Sequence, residues 1–305
     1  MTTSELSKDI HGWLLIDKPI GIGSTTVVSI IRRITGIKKI GHGGTLDPDA
    51  TGVLALALGE ATKTVQVLGD TLKTYRFTLR LGIATDTDDS SGNTINQSSI
   101  RPETDDIKKT IEKLRGHILQ LPPKLSALKI NGKRAYQLFH EGLDYELSPR
   151  KIYIQDITIL KRENINEVAM EFTCGKGGYV RSLARDIGEL LGCYGHAHGI
   201  RRIASGPFGI EKSSNLEELK SMTFLELKRN ILPIGLVLKE IPNYECTGED
   251  LEKVLNGGAC KIIERSDKIL ALAWIKFENT PLAFGKVKDQ TFFPTRVFNI
   301  FKGSK

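Results

Sequence analysis

Gly41-His42-Gly43-Gly44-Thr45-Leu46-Asp47-Pro48-Asp49-Ala50-Thr51-Gly52 runs directly into Val53-Leu54-Ala55-Leu56-Ala57-Leu58, and this join decides how the chain on either side is read. Four glycines and a proline in twelve residues specify a tight loop. Glycine permits left-handed backbone angles and close approach to another group. The apolar run after it reads as a buried strand, and Lys38-Lys39-Ile40 places positive charge before it. Loops held by rigid flanks are where reactive side chains tend to sit. Asp47 is the side chain of that kind here.

Working outward, Gly12 to Ile16 reads as a short buried strand ending in the punctuated turn Asp17 to Ser24. Ser24 or Thr25 is expected to cap a helix through Val27, Ile30 and Ile31 that stops near Gly36. Glu60 to Gly69 is expected to be helical. Thr74 to Leu81 alternates apolar and polar side chains with period two, the mark of a half-buried strand. Thr85 to Ser99, rich in Asp, Ser, Thr and Asn, reads as an exposed loop. From Thr104 a helix is expected with Ile107, Ile111, Leu114 and Ile118 on one face, broken at Leu121-Pro122-Pro123. Residues 122–150 mix basic and aromatic groups with few core signals, as a surface excursion does.

Ile152–Leu160 and Val168–Cys174 follow as strands. Gly175-Lys176-Gly177-Gly178 then leads into a helix whose stripe is Val180, Leu183, Ala184, Ile187, Leu190 and Leu191, with Arg181 just off it and Gly192 closing it. Ile200 to Ile203 is a strand carrying Arg201 and Arg202, and Leu216 to Ile231 is expected to be one helix. Beyond Pro233, a short helix at Gly248–Leu255 and strands near Ile269–Trp274 and Pro281–Lys286 suggest a small β-rich appendage.

Composition narrows the partners. At 305 residues, one large domain plus a small one is the expectation. The formal charge is +7, which favours a polyanionic partner. Cys174, Cys193, Cys246 and Cys260 have no CxxC spacing, so neither a zinc site nor a disulfide framework is suggested, and reduced thiols in a cytosol fit best. The first ten residues read as a loose polar leader rather than a secretory signal. No apolar run is long enough to span a bilayer.

The chemistry narrows in the same way. The Gly41–Gly52 loop has Leu-Asp-Pro where a phosphate-cradling loop needs Lys and then Ser or Thr, and neither glycine cluster has dinucleotide-binding spacing. His196 and His198 lack accompanying ligands for a metal and read as loop histidines. Asp47 and Asp49 invite a two-carboxylate glycosidase reading, but Asp49 fits a turn cap better. On residues alone Asp47 has a structural reading as well as a nucleophilic or general-base one.

The residues then carry a resemblance. Gly41 to Leu54 with Leu58-Gly59-Glu60-Ala61-Thr62-Lys63 closely resembles the catalytic motif of TruB-type tRNA pseudouridine synthases. Asp17-Lys18-Pro19-Ile20-Gly21, Lys73-Thr74-Tyr75-Arg76, Ser126 to Tyr136, Lys176 to Leu183 and Ile200-Arg201-Arg202 resemble further motifs of that family, in order, over residues 11–215. The resemblance implies an α+β pseudouridine synthase fold: a mixed, mostly antiparallel sheet with flanking helices. It also implies an RNA-binding thumb at about 122–150 in a catalytic domain of residues 1–235. A C-terminal domain, 236–305, is expected to be PUA-like. The implied activity is conversion of uridine to pseudouridine at position 55 in the T-loop of tRNA, without cofactor or metal, by a cytoplasmic monomer.

Residue by residue, the resemblance implies that Asp47, Tyr75 and Arg181 are catalytic. Tyr179, His42, Lys18, Pro19 and Ile200 would meet the nucleotide, with His42 filling the space a flipped base leaves. Lys129, Lys133, Arg201 and Arg202 would meet phosphates. The sequence departs from the family pattern at Gly43 (usually Thr or Ala), Asp49 (commonly Leu), Gly23 (Thr or Ser) and Ile200 (Leu). Two other readings stay open, a guide-RNA-directed synthase of the dyskerin kind and a non-catalytic RNA-binding protein.

Overall fold

The computed structural model describes residues 10–262 and 269–301; most of the expected N-terminal leader lies outside them. One large sheet organises the chain. Its order is Ser214–Asn215, Gly12–Lys18, Thr51–Leu58, Gly195–Ser205, Lys73–Leu81, Glu167–Cys174, Arg150–Arg162 and Gly116–Gln120. Most neighbours run antiparallel. The exceptions along this path are Gly12–Lys18 with Ser214–Asn215, and Thr51–Leu58 with Gly195–Ser205. The α+β class and the mostly antiparallel sheet expected from the sequence are what the chain adopts.

The second exception divides the sheet. Thr51–Leu58 meets Gly195–Ser205 through two residue pairs, Arg201 with Thr51 and Arg202 with Gly52. Gly52 has φ +101°, and a Cβ there would lie 2.1 Å from the Arg202 carbonyl oxygen. Only glycine admits both that angle and that approach. On one side of this seam, Phe77, Leu79, Met170 and Phe172 pack under the helices Thr104–Glu112 and Val180–Leu190. On the other, Leu14, Ile16, Leu54 and Leu56 pack against Val27 and Ile31 of the helix Ser24–Thr35. The alternation in Lys73–Leu81 and the continuous apolar run in Val53–Leu58 reflect that difference: the second strand is covered on both faces.

The covering on the far face comes from the C-terminal sheet, ordered Asn243–Glu245, Leu270–Phe277, Thr280–Lys288, Thr291–Val297 and Cys260–Lys261. Trp274, Phe284 and Phe298 share one apolar cluster with Trp13, Leu15, Val53 and Phe208. The expected appendage is therefore packed onto the main sheet.

Several expectations change. Thr104–Glu112 ends before Ile118, which lies on the edge strand Gly116–Gln120, because Gly116 turns the chain at φ +88°. Leu216 to Ile231 is two helices, Leu216–Ser221 and Phe224–Arg229, separated where Thr223 and Glu226 form a reciprocal cap. Residues 59–70 are a 3-10 turn, Gly59–Thr64, followed by a short α-helix, Val65–Asp70. Leu190 is exposed and leaves the helical stripe. Thr85 to Ser99 is no simple exposed loop: Ile83–Thr85 pairs with Thr94–Gln97, and Thr85 and Thr87 are buried. His196 and His198 lie on a strand, with His196 buried and its Nδ1 3.0 Å from the Ile83 carbonyl oxygen.

Glu60 ties the two sheets together. Its carboxylate accepts from Lys39 Nζ at 3.0 Å, from the Asn299 backbone N–H at 2.8 Å and from Lys63, which also donates to the Val297 carbonyl. Burial alone would push this carboxyl up, but the hydrogen bonds outweigh it and hold it at about 2. A carboxylate whose folded pKa is depressed contributes stability that is present above its unfolded pKa and lost as pH falls through the folded one. Glu60→Gln should lower stability by about 2 kcal/mol at neutral pH. In thermal unfolding at a series of pH values, its difference from the unaltered protein should shrink between about 4.5 and about 2.

Candidate active site

The Gly41–Gly52 loop rises at the seam and is clamped from below and behind. Ser24 does not cap its helix, where Gly23 holds the cap position; its Oγ instead donates to the Leu46 carbonyl at 2.9 Å and accepts the Leu46 N–H at 2.8 Å. The Pro48 carbonyl accepts from the Gly21 N–H at 2.9 Å and from Lys18 Nζ at 3.2 Å. Arg202 donates from Nε to the Val53 carbonyl at 2.8 Å and from Nη2 to the Gly44 carbonyl at 3.0 Å. A planar guanidinium presents its donors in a rigid fork, which suits it to holding two backbone carbonyls at once.

The expected roles of Arg202, Lys18 and Pro19 change with this geometry. Arg202 is 2% exposed and sits in the cavity wall with Nε and Nη2 on backbone carbonyls, so it braces the loop from there. Lys18 is fully buried beneath the loop, bonded to the Pro19, Ile22 and Pro48 carbonyls. It supports the site from underneath and does not line it. Burial lowers its ammonium to about 8, against the opposing pull of Asp47 and Asp49. Pro19 is exposed on the outside of the same turn and does not line the cavity either.

Arg181 faces Asp47 from the first turn of the helix Val180–Leu190. Its Nη2 donates to Asp47 Oδ2 at 2.7 Å and to the Leu125 carbonyl at 2.7 Å, its Nη1 donates to the Thr87 carbonyl at 3.1 Å, and its Nε lies 3.5 Å from Asp89 Oδ2. The Arg181 side chain is 3% exposed and that of Asp47 is 47% exposed. The cation is sunk in the protein while the carboxylate it orients opens into a cavity of about 500 Å³. A charge-assisted hydrogen bond at this distance fixes the direction in which a carboxylate points.

His42, Tyr75, Tyr179 and Ile200 line that cavity with Asp47 and Arg181. Tyr75 stacks on Phe172 with ring centroids 6.3 Å apart. Burial pushes its phenol up, against the nearby Arg202 guanidinium, so it is protonated at neutral pH. Burial and Arg202 both push the His42 imidazole down, leaving it neutral, and its Nδ1 has no hydrogen-bond partner among the described residues. Tyr179 is held by its backbone, which exchanges hydrogen bonds with the Gln120 side chain at 2.9 and 3.3 Å.

Of the remaining expected residues, Arg201 is half-exposed and bidentate on Asp17 at 2.6 and 3.0 Å. Lys129 and Lys133 lie on an exposed hairpin of residues 122–150, with Lys133 3.2 Å from Glu141. The sequence reading missed Ser24, Thr87, Asp89 and Gln120. The aspartates at 86–89 were a legible polar signal, but their composition reads equally as a solvated loop. Among the described residues, no cluster of three or more His, Cys, Asp or Glu side chains is arranged to hold a metal ion.

Gly43 has a packing reason. A Cβ at this position would lie 2.3 Å from Leu68 Cδ2 and 3.5 Å from the Trp13 ring, so Leu68 occupies the space a larger loop residue would need. Gly43→Ala should destabilise by about 1–2 kcal/mol, and in a Leu68→Ala background that cost should vanish, as a denaturant-unfolding double-mutant cycle would measure.

Comparison with known proteins places these features in one class. Residues 32–180 match the TruB family pseudouridylate synthase N-terminal domain, and residues 181–239 match the tRNA pseudouridylate synthase B C-terminal domain. The tRNA pseudouridine synthase B of Ruegeria pomeroyi is 45% identical over 98% of this chain and 99% of its own length. That of Cereibacter sphaeroides is 42% identical over 98% and 100%. The fold also matches the structure of an H/ACA RNP bound to a substrate RNA containing 2'-deoxyuridine (TM-score 0.74, 24% identity, 96% of this chain and 86% of that one). A Cbf5-Nop10-Gar1 complex matches with TM-score 0.74 and 26% identity, over 97% of this chain and 87% of that one. The chain belongs to the TruB family of pseudouridine synthases.

Proposed function

We propose that this chain isomerises uridine to pseudouridine in tRNA, at position 55 of the T-loop, with Asp47 as the catalytic carboxylate. The observation that carries the reading is the Arg181–Asp47 pair at 2.7 Å, with its carboxylate open to a cavity that Tyr75 and His42 also line. The reaction breaks the bond from N1 to the ribose, turns the base and rejoins it through C5. No atoms are gained or lost overall: C5 gives up its proton as the new bond forms and N1, freed of the ribose, ends with one. The site therefore has to hold the nucleotide, present a carboxylate to it and let that proton leave C5. Asp47 acts on the nucleotide directly. Arg181 holds and aims it, and Tyr75 packs on the base and takes part in moving the proton that leaves C5.

A base inside a folded T-loop is out of reach of a carboxylate in a recess, so it is extruded into the cavity. The neutral His42 faces the space it leaves, and Tyr179 and Ile200 close on the nucleotide. Residues 122–150 act as an RNA-facing thumb of a catalytic domain, residues 1–235. Lys129 and Lys133 meet phosphates there, and the half-exposed Arg201 adds to that surface. Residues 236–305 form the PUA-like second domain. The enzyme works as a cytoplasmic monomer without an obligatory protein partner. Turnover on a bare tRNA transcript, with no added protein or guide RNA, is the expected result.

Asp47→Asn should abolish pseudouridine formation in a tritium-release assay while tRNA affinity stays within about threefold. Substantial turnover by this variant would refute the assignment. Lys129→Ala and Lys133→Ala should each reduce the salt dependence of tRNA binding by about one counterion. Arg202→Gln should leave that slope unchanged and lower turnover, as a buried brace does.

A further inference from the structure

One turn beyond Arg181, on the same face of its helix, stands Arg185. Its Nη1 donates to Asp88 Oδ2 at 2.7 Å and its Nη2 donates to the Leu121 carbonyl at 2.7 Å. Nε and Nη2 also reach Asp186 Oδ1, at 3.1 and 2.9 Å. The side chains of Arg185 and Asp88 are 17% and 13% exposed. Neither lines the cavity.

Asp88 sits between the two groups that hold Arg181 from below. Thr87 offers its carbonyl to Arg181 Nη1, and Asp89 turns its carboxylate toward Arg181 Nε. To place both neighbours this way, Asp88 adopts φ +62°, a left-handed angle that a non-glycine residue takes at a cost. Its backbone is pinned by the Ala197 N–H on its carbonyl at 3.0 Å, and its side chain by Arg185. Asp89 is fixed in turn by Thr87 Oγ1 at 2.7 Å and Ser91 Oγ at 2.6 Å. The other donor of Arg185 works on the opposite wall. Leu121 is the root of the 122–150 excursion and also accepts from Ser182 Oγ at 2.7 Å, while Leu125, four residues on, bonds Arg181 itself.

We infer that Arg185 is a positioning residue for the reaction: through Asp88 and Leu121 it fixes the two walls that aim Arg181 at Asp47. The inference rests on the proposed role of Asp47, and its test separates the two. Single-turnover pseudouridine formation at saturating tRNA is measured for Arg185→Ala, Asp88→Ala, Asp88→Asn and the Arg185→Ala/Asp88→Ala double variant, with Asp47→Asn as the control.

Arg185→Ala and Asp88→Ala should each slow the rate constant roughly ten- to hundredfold, with tRNA affinity held within about threefold. The double variant should be no slower than the slower single, because both act through one contact. Asp88→Asn, which tolerates the left-handed angle and still accepts from Arg185, should recover most of the rate. A merely structural role would reduce the amplitude, as the folded fraction falls, and leave the rate constant unmoved. Additive losses, an unrecovered Asp88→Asn, or rates near the unaltered protein's overturn the inference. Should Arg185→Ala not fold, the two Asp88 variants decide it alone by the same criteria. An active Asp47→Asn would instead refute the site assignment on which the inference stands.

Discussion

A guanidinium taken out of water needs an acceptor for its donors, and the burial of Arg181 imposes that requirement on the whole site. The acceptors come from three places far apart in sequence: the Thr87–Asp89 turn, the carbonyl of Leu125 and the carboxylate of Asp47. Each is delivered by a different layer of the fold. The first hangs from the Gly195–Ser205 strand, the second begins the exposed excursion, and the third crowns the glycine loop. Asp47 is the acceptor that stays half in solvent, so the charge of Arg181 is expressed at the cavity and nowhere else.

The opposite side of the site obeys a second constraint. The loop bearing Asp47 is short of side chains that could fix it, and its backbone carbonyls are bound instead by Arg202, Lys18 and Gly21 from behind. This accounts for two motif cations, Arg202 and Lys18, that bond backbone carbonyls around the loop. A basic residue beside a reactive loop is easily read as a phosphate contact. Here the bonds show it serving the loop's own backbone.

Much of the fold could be read in the residues. The alternation in Thr74–Leu81, the apolar run after Gly52 and the helical stripe after Tyr179 each named an element that forms. The family motifs group Asp47, Tyr75, Tyr179 and Arg181, and these line one cavity. What escaped was whatever depends on burial. Arg202 and Lys18 look like surface cations in sequence, and Ser24 looks like a helix cap. The polar run at 85–99 looks solvated because nothing local reveals that two arginines of a distant helix will sink against it. The break at Met222–Thr223 was lost because a reciprocal cap inside a helical pattern shifts no periodicity.

The two-residue seam has a mechanical consequence. Asp47 belongs to one half of the sheet and Arg181 to the other, and each half has its own apolar core. Tyr75 and Ile200 pack against both cores, and both face the cavity. A flat base entering between them would lie across the junction and add its own stacking to the few contacts that span it. The substrate would then act as a keystone, resting on the two side chains that both cores share.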